Sequence, residues 1–160
     1  MAKGRSDGRG IPPVVSVTFT GTRKGMTRQQ RRTVEALLVN LQPDVVHHGD
    51  CLGADADFDA IAKRLGIRRI LHPCHLPNRD PKTYRAFCHG DIKHKPLPPL
   101  ARNREMIKRC QTLIAAPKEF TSEMRSGTWA TIRYGLADYR VDVTIVWPDG
   151  STETNKGPFR

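Results

Sequence analysis

Runs of β-branched and apolar residues alternate along the chain with stretches whose apolar positions recur every three or four residues. Val14 to Phe19 reads as a buried strand. After the loop Gly21-Thr22-Arg23-Lys24-Gly25, Thr27 is placed to cap a helix that reaches about Asn40, with Val34, Leu37, Leu38 and Leu41 at helical spacing. Asp44 to His48 predicts a second strand. Gly53 to Leu65 predicts a second helix, with Ala54, Phe58, Ile61, Ala62 and Leu65 on one face and Gly66 just past its end. Ile67 to Leu71 is a third strand. The rhythm then breaks. Residues 73–99 hold six prolines and three histidines, which predicts a long loop or insertion, and long loops in compact domains are usually functional or mobile. It resumes with a helix over Leu100 to Cys110, a strand over Thr112 to Ala116, a loop to Arg125, a helix over Gly127 to Tyr139 and a strand over Val141 to Trp147. Pro148-Asp149-Gly150 is a turn, and 151–160 reads as a tail. Residues 1–12, rich in glycine and charge, read as a disordered basic tail.

Strands alternating with helices predict an α/β fold: a three-layer, Rossmann-like parallel sheet of about five strands with helices on both faces, one domain over residues 13–150. The expected strand order is 3-2-1-4-5, counting strands as they occur. In such a sheet ligands bind at the carboxyl ends of the strands, at the switch point between strands 1 and 4. That rule selects Thr20 to Lys24, Gly49 to Asp55, the long loop into Arg102-Asn103-Arg104, and Pro117 to Thr128.

Composition adjusts this picture in three respects. The 160 residues carry 27 Lys and Arg against 16 Asp and Glu, a formal net charge of +11, which favours polyanionic partners. Part of that charge lies in the tails, at Lys3, Arg5, Arg9, Lys156 and Arg160. Apolar content is 38%, with no run long enough to cross a bilayer and no apolar leader at the start, so a cytoplasmic protein without membrane contact is expected. The four cysteines, Cys51, Cys74, Cys88 and Cys110, are then expected as reduced thiols.

The chemistry gathers at two strand–turn–helix elbows. His48-Gly49-Asp50-Cys51-Leu52-Gly53-Ala54-Asp55 follows a strand and opens a helix, which sets backbone N–H groups where an anion can sit. Gly49 and Gly53 are read as phosphate-turn glycines. Asp50 and Asp55 are read as carboxylates that hold a ribose hydroxyl or act as acid and base, and Asp57 as a complement to the helix dipole. The spacing is neither the dinucleotide fingerprint nor a P-loop. At the second elbow Arg125-Ser126-Gly127-Thr128 opens a helix, with Ser126 as N-cap and Gly127 permitting close approach of a ligand. Arg102 and Asn103, at the start of the third helix, are suited to gripping phosphate or base edges. Arg133 falls in the apolar arc of its helix, where it is expected to snorkel or pair with an acid.

His47, His48, Cys51, Cys74, His75, Cys88 and His89 include good zinc ligands, but none makes a Cys-x-x-Cys or His-x-x-x-His pair, so no metal and no other cofactor is expected. One of His47 and His48 is expected to point into the crevice.

Together, Thr18-Phe19-Thr20-Gly21-Thr22-Arg23, the His48–Asp55 elbow, Ala101-Arg102-Asn103-Arg104 and Arg125-Ser126-Gly127-Thr128-Trp129-Ala130-Thr131-Ile132-Arg133-Tyr134 resemble the SLOG superfamily over roughly residues 14–150. That group joins the Rossmann domain of DNA-processing protein A to the cytokinin-activating LOG phosphoribohydrolases, and the chain is most similar to its small phage and bacterial members. The resemblance implies a nucleotide or nucleoside-phosphate ligand, often in a homodimer. It adds Gly21, Thr22 and Arg23 to the ligand-binding candidates. LOG enzymes carry Pro-Gly-Gly-x-Gly-Thr-x-x-Glu. Here Gly127-Thr128 match, Glu123-Met124-Arg125 replace Pro-Gly-Gly, and Thr131 stands where the catalytic Glu would be. Three functions follow: a nucleotide-binding sensor or sequestering module, an N-glycosidase on nucleoside monophosphates in which Asp50 or Asp55 supplies the carboxylate, or a protein that binds single-stranded nucleic acid.

Overall fold

Side chains alternate across each strand, and that alternation sorts the apolar residues into two layers. The computed structural model describes residues 14–124, 126–138 and 140–155, so Arg125 and the expected 1–12 tail lie outside the described residues. In chain order the elements are β1 (Ser16–Gly21), α1 (Arg28–Leu41), β2 (Val45–His48), α2 (Ala54–Arg64), β3 (Arg68–Leu71), a single 3-10 turn (Pro81–Thr83), β4 (Ile92–Lys93), α3 (Pro99–Lys108), β5 (Thr112–Ala116), α4 (Gly127–Ala137), β6 (Asp142–Val146) and β7 (Thr152–Asn155). Val17, Phe19, Val46, Ile114, Ala116 and Val146 meet Val34 and Leu38 of α1 and Phe58, Ile61 and Ala62 of α2 on one face. Leu113, Ala115, Val143 and Ile145 meet Ile107 of α3 and Trp129 and Ile132 of α4 on the other. Helix, sheet, helix is the three-layer arrangement expected.

The sheet order is β4-β3-β2-β1-β5-β6-β7. Its inner five strands follow the predicted order, and β1 lies between β2 and β5, both parallel to it. The strand count is corrected from five to seven. β4 arises inside the 73–99 segment, where Ile92 and Lys93 pair with Ile70 and Leu71. β7 arises in the expected tail, antiparallel to β6. Both are edge strands with every residue exposed. They bury no apolar face, so no hydrophobic alternation marks them.

Two caps set the crevice. Thr27 and Gln30 form a capping box, Thr27 Oγ1 accepting from the Gln30 amide at 3.0 Å and Gln30 Oε1 from the Thr27 amide at 2.9 Å. The buried Gln30 amide group also donates to the Pro117 and Val146 carbonyls at 2.8 and 3.0 Å. That ties the start of α1 to the carboxyl ends of β5 and β6. At α2 the N-cap is Gly53, with φ +87°. A Cβ there would stand 2.2 Å from the Arg23 carbonyl oxygen, so only glycine lets α2 begin directly beneath the β1–α1 loop.

Candidate functional site

The carboxyl ends of β1 and β5 open onto a crevice of about 430 Å³. Gly21, Thr22 and Arg23 from the β1 end, Asp55 from α2, Arg102 and Asn103 from α3, and Ser126, Gly127 and Thr128 from α4 all line it. Sequence reasoning therefore brought together residues from four separate segments. Gly49, Asp50 and Gly53 are not among the lining residues, and Arg125 lies outside the described ones. Lys24, Cys51, Met106, Lys118 and Glu123 line the crevice without having been singled out as ligand contacts. The loop boundaries already contained most of them, and charge alone would have flagged Lys24 and Lys118.

The two elbows differ in kind. At the first, Asp55 Oδ2 accepts from the Gly49 and Cys51 amides, each at 3.1 Å. The Ala54 amide donates to the Thr22 carbonyl at 2.9 Å. The chain's own carboxyl fills the place expected for a guest anion. Asp55 Oδ1 has no protein partner among the described residues. Burial, with the Cys51 thiol adding to it, pushes the Asp55 carboxyl up to about 7, against opposing pulls from His48 and Arg102. At the second elbow Ser126 caps α4, its hydroxyl accepting from the Trp129 amide at 3.3 Å. The Gly127 and Thr128 amides have no partner among the described residues, and a Cβ on Gly127 would meet nothing within 4 Å. This end of the helix is open to the crevice, with the orphan donors and positive dipole end of any helix start.

Arg102 joins the two sides. It is 7% exposed. Its Nη1 donates to the Gly49 and His72 carbonyls at 2.9 and 3.0 Å, and its Nε to Asn103 Oδ1 at 2.7 Å. Nη2 has only the weak contact with Cys51 Sγ at 3.9 Å, so one face of the guanidinium remains for an anion. With Arg23, Lys24 and Lys118 it makes the crevice electropositive. Glu123 is engaged by Lys118 at 3.7 Å.

Asp50 turns the other way. It is fully buried with φ +54°. Its Oδ1 accepts from the Cys88 amide at 2.9 Å, and Oδ2 pairs with Arg85 at 3.2 Å. Its carbonyl accepts from Ala86 at 2.9 Å. Asp50 thus anchors the 73–99 segment to the sheet. Asp57 accepts from the Met26 amide at 2.8 Å, which bolts α2 to the loop before α1. Thr131, standing where LOG enzymes have Glu, is fully buried and donates to the Gly127 carbonyl at 2.9 Å. Arg133 is exposed and donates to the Glu123 and Met124 carbonyls at 3.5 and 3.2 Å, in place of the expected acid.

Neither His47 nor His48 lines the crevice, which corrects that expectation: each finds a partner on its own face of the sheet. His47 Nδ1 meets His72 Nε2 at 2.8 Å. Burial, reinforced by Arg109, lowers His47 to about 4. His48 Nδ1 accepts from the Asp50 amide at 3.0 Å, so its proton is on Nε2, which donates to Asp59 Oδ1 at 2.7 Å. His48, Asp59 and Cys88 bring ligand atoms within 4.8 Å of one another. A metal on Nε2 would move the imidazole proton to Nδ1, against the Asp50 N–H, and Arg69 already holds Asp59 at 2.7 Å. These three residues do not fit a resident metal.

No family model matches the chain, and neither does any curated protein. Solved structures do. The molybdenum cofactor binding protein of Rippkaea orientalis is 16% identical, with a TM-score of 0.61 over 84% of this chain and 77% of that one. DNA processing protein A of Streptococcus pneumoniae is 21% identical, with a TM-score of 0.54 over 82% of this chain and 50% of its own length. The Helicobacter pylori protein of the same name is 19% identical, also at 0.54, over 82% and 64%. These likenesses show the fold alone. At these identities the likeness is one of architecture; in this chain's own strand order the switch point between β1 and β5 lies where the crevice opens. Among the described residues no helix is long and apolar enough to cross a membrane.

Proposed function

We propose that this chain is a SLOG-type sensor or sequestering module that binds a nucleotide or nucleoside phosphate in the crevice between β1 and β5. One observation carries the reading: Gly127 and Thr128, whose amides have no partner among the described residues, and Arg102, whose Nη2 has only a weak sulfur contact, line the same electropositive cavity. In this reading the phosphate takes the open end of α4 and Arg102, and Asn103 and Thr22 bear on the sugar or base. A cytoplasmic location and a homodimer belong to the same proposal, and sedimentation velocity tests the second. Titration calorimetry with a panel of nucleoside monophosphates tests the site. Arg102→Ala and Gly127→Asp are each expected to weaken binding by about tenfold or more, the loss of one charge-assisted contact. Unchanged affinity in both variants refutes the site.

A second reading rests on Asp55. A carboxyl raised to about 7 in the crevice, with Oδ1 unpartnered, is what an acid or base for N-glycosidic cleavage requires. Release of free base from a nucleoside monophosphate supports it, and no release across the panel removes it. A third reading, single-stranded DNA, is supported by the net charge of +11 and by the likeness to the Helicobacter pylori protein, whose structure concerns its single-stranded DNA binding mode. Absence of a mobility shift at low salt rejects it.

A further inference from the structure

Three neighbouring strands each bring a histidine to one face of the sheet. His47 in β2 stands opposite Ile70 in β3, and His72, two residues beyond Ile70, points to the same side. The β3–β4 ladder runs on past Leu71 and Lys93, as the His94 amide donates to the Leu71 carbonyl at 2.9 Å. His72 and His94 are therefore cross-strand neighbours, and their rings stack with centroids 4.5 Å apart and 11° between planes. His47 Nδ1 meets His72 Nε2 at 2.8 Å. Arg102 and Glu105 of α3, with Arg109 just past its end and Lys95 after β4, close a second cavity of about 290 Å³ over His72 and His94. Among the lining residues Glu105 is the one acid, and it already engages Arg109 at 3.6 Å and Lys108 at 3.9 Å. The Lys95 ammonium, both ring nitrogens of His94 and Nδ1 of His72 have no partner among the described residues. His72 is 3% exposed, so its free Nδ1 is a buried polar atom in the cavity wall.

We propose that this cavity is a second anion site, which takes the phosphate group of free phosphate or of a small phosphomonoester. Lys95 and Arg109 supply the charge from the exposed side, and Arg102, which lines both cavities, supplies it from within. One proton lies between His47 and His72. When it sits on His47 Nδ1, His72 accepts at Nε2 and, being neutral, carries its own proton on Nδ1, where it donates into the cavity. Burial, with Arg109 and His94, lowers His47 to about 4, and burial, with His47 and His94, lowers His72 to about 2, so both rings are neutral near pH 7. An anion therefore meets an imidazole donor without any ring having to be charged. Its oxygens face donors from separate segments, which suits a tetrahedral oxyanion better than a planar carboxylate. Pro73 and Leu97 complete the wall with apolar surface, against which the carbon body of an ester can lie. The inference does not rest on the nucleotide reading of the crevice.

Imidazole spectra of the nitrogen-15-labelled protein at pH 7, titrated with inorganic phosphate at constant ionic strength, test the site. The His72 and His94 resonances are expected to move along a saturable curve with a midpoint of about 1–10 mM. Those of His48, which is held by Asp59, and of His89 are expected to stay in place. Lys95→Ala and Arg109→Ala, both at exposed positions, are each expected to weaken phosphate about threefold to fivefold. Gly127→Asp places a carboxylate at the open end of α4 in the crevice and is expected to leave this response unchanged. Glycerol 3-phosphate, titrated in the same way, separates the two sources: binding as tight as inorganic phosphate or tighter assigns the cavity to a phosphomonoester, and weaker binding assigns it to free phosphate. Resonances unmoved up to about 50 mM phosphate, an equal response to acetate, full affinity in both Lys95→Ala and Arg109→Ala, or loss of the response in Gly127→Asp overturns the proposal. The titration needs no nucleotide, so a failure of the nucleotide reading leaves its result standing.

Discussion

The Nη1 of Arg102 reaches the Gly49 carbonyl at 2.9 Å across a space that a side chain at Gly49 would fill. A Cβ built on Gly49 would lie 2.4 Å from that nitrogen and 2.9 Å from Cζ. The first elbow needs a glycine so that an arginine can enter, and the arginine in turn fixes the crevice.

Gly49→Ala is therefore expected to cost about 1–3 kcal/mol in urea unfolding, the range for forcing volume into a packed site. It should also weaken any anion bound at Arg102. Gly127→Ala is the contrast. Nothing lies within 4 Å of its Cβ position, so its stability should change by less than about 0.5 kcal/mol. Equal losses in the two variants would show that the Gly49–Arg102 packing is not what distinguishes the elbows.

Asp50 is expected to act as an anchor of the 73–99 segment. Asp50→Ala strips Arg85 and the Cys88 amide of their acceptor and leaves an alanine at φ +54°. A loss of about 3 kcal/mol is expected, the low end for breaking a buried pair, because Arg85 is partly exposed. Trypsin should then cut faster at Arg79, Lys82 or Arg85. Unchanged resistance of that segment would separate Asp50 from its order.

Gln30 makes a sharper case, because one side chain serves as both cap and clamp. Thr27→Ala removes only the cap and should cost about 1 kcal/mol. Gln30→Leu also leaves the buried Pro117 and Val146 carbonyls without donors, and should cost about 3 kcal/mol. Gln30→Glu can still accept from Thr27 but cannot donate to the carbonyls, so it should resemble the leucine variant. If it resembles Thr27→Ala, the clamp contributes nothing.

These residues also show what the sequence could reveal. The β-α rhythm, the Thr27 cap, Gly66 with φ +72° and the position of the crevice were legible because each follows from local spacing or from the switch-point rule. The switch-point rule also selected the segments that bring Arg102, Asn103 and Gly127 to the crevice, and Gly21 came in through the resemblance. β4 and β7 were hidden because their polar, exposed residues are recruited by a neighbouring edge and have no pattern of their own. Local spacing placed Asp55 at the opening of a helix but could not show that its carboxyl turns back onto Gly49 and Cys51. It could not show that Asp50, one position after Gly49, turns toward Arg85. Both orientations depend on contacts across the fold.

The buried ionisable groups predict an unusual pH profile, because Asp55 opposes the histidines. Asp55 rises from 3.8 unfolded to about 7 folded, so between those values the folded protein holds one proton more than the unfolded chain, and stability falls as pH rises. His47 falls from 6.5 to about 4, and burial together with His47 takes His72 down to about 2. Below 6.5 the unfolded chain binds those two protons and the folded protein does not, so stability falls as pH drops. Near pH 5 the two histidines outweigh the single carboxyl, and stability should rise with pH by about 1.4 kcal/mol per pH unit, the equivalent of one proton. Asp55→Asn keeps an acceptor for the Gly49 and Cys51 amides but removes the opposing proton. Its slope near pH 5 should roughly double, and its stability relative to the parent should grow steadily between pH 4 and 7 and then level off. Urea unfolding at half-unit steps of pH reads this directly. Parallel curves for parent and variant would mean that Asp55 titrates in the folded protein as an ordinary carboxylate.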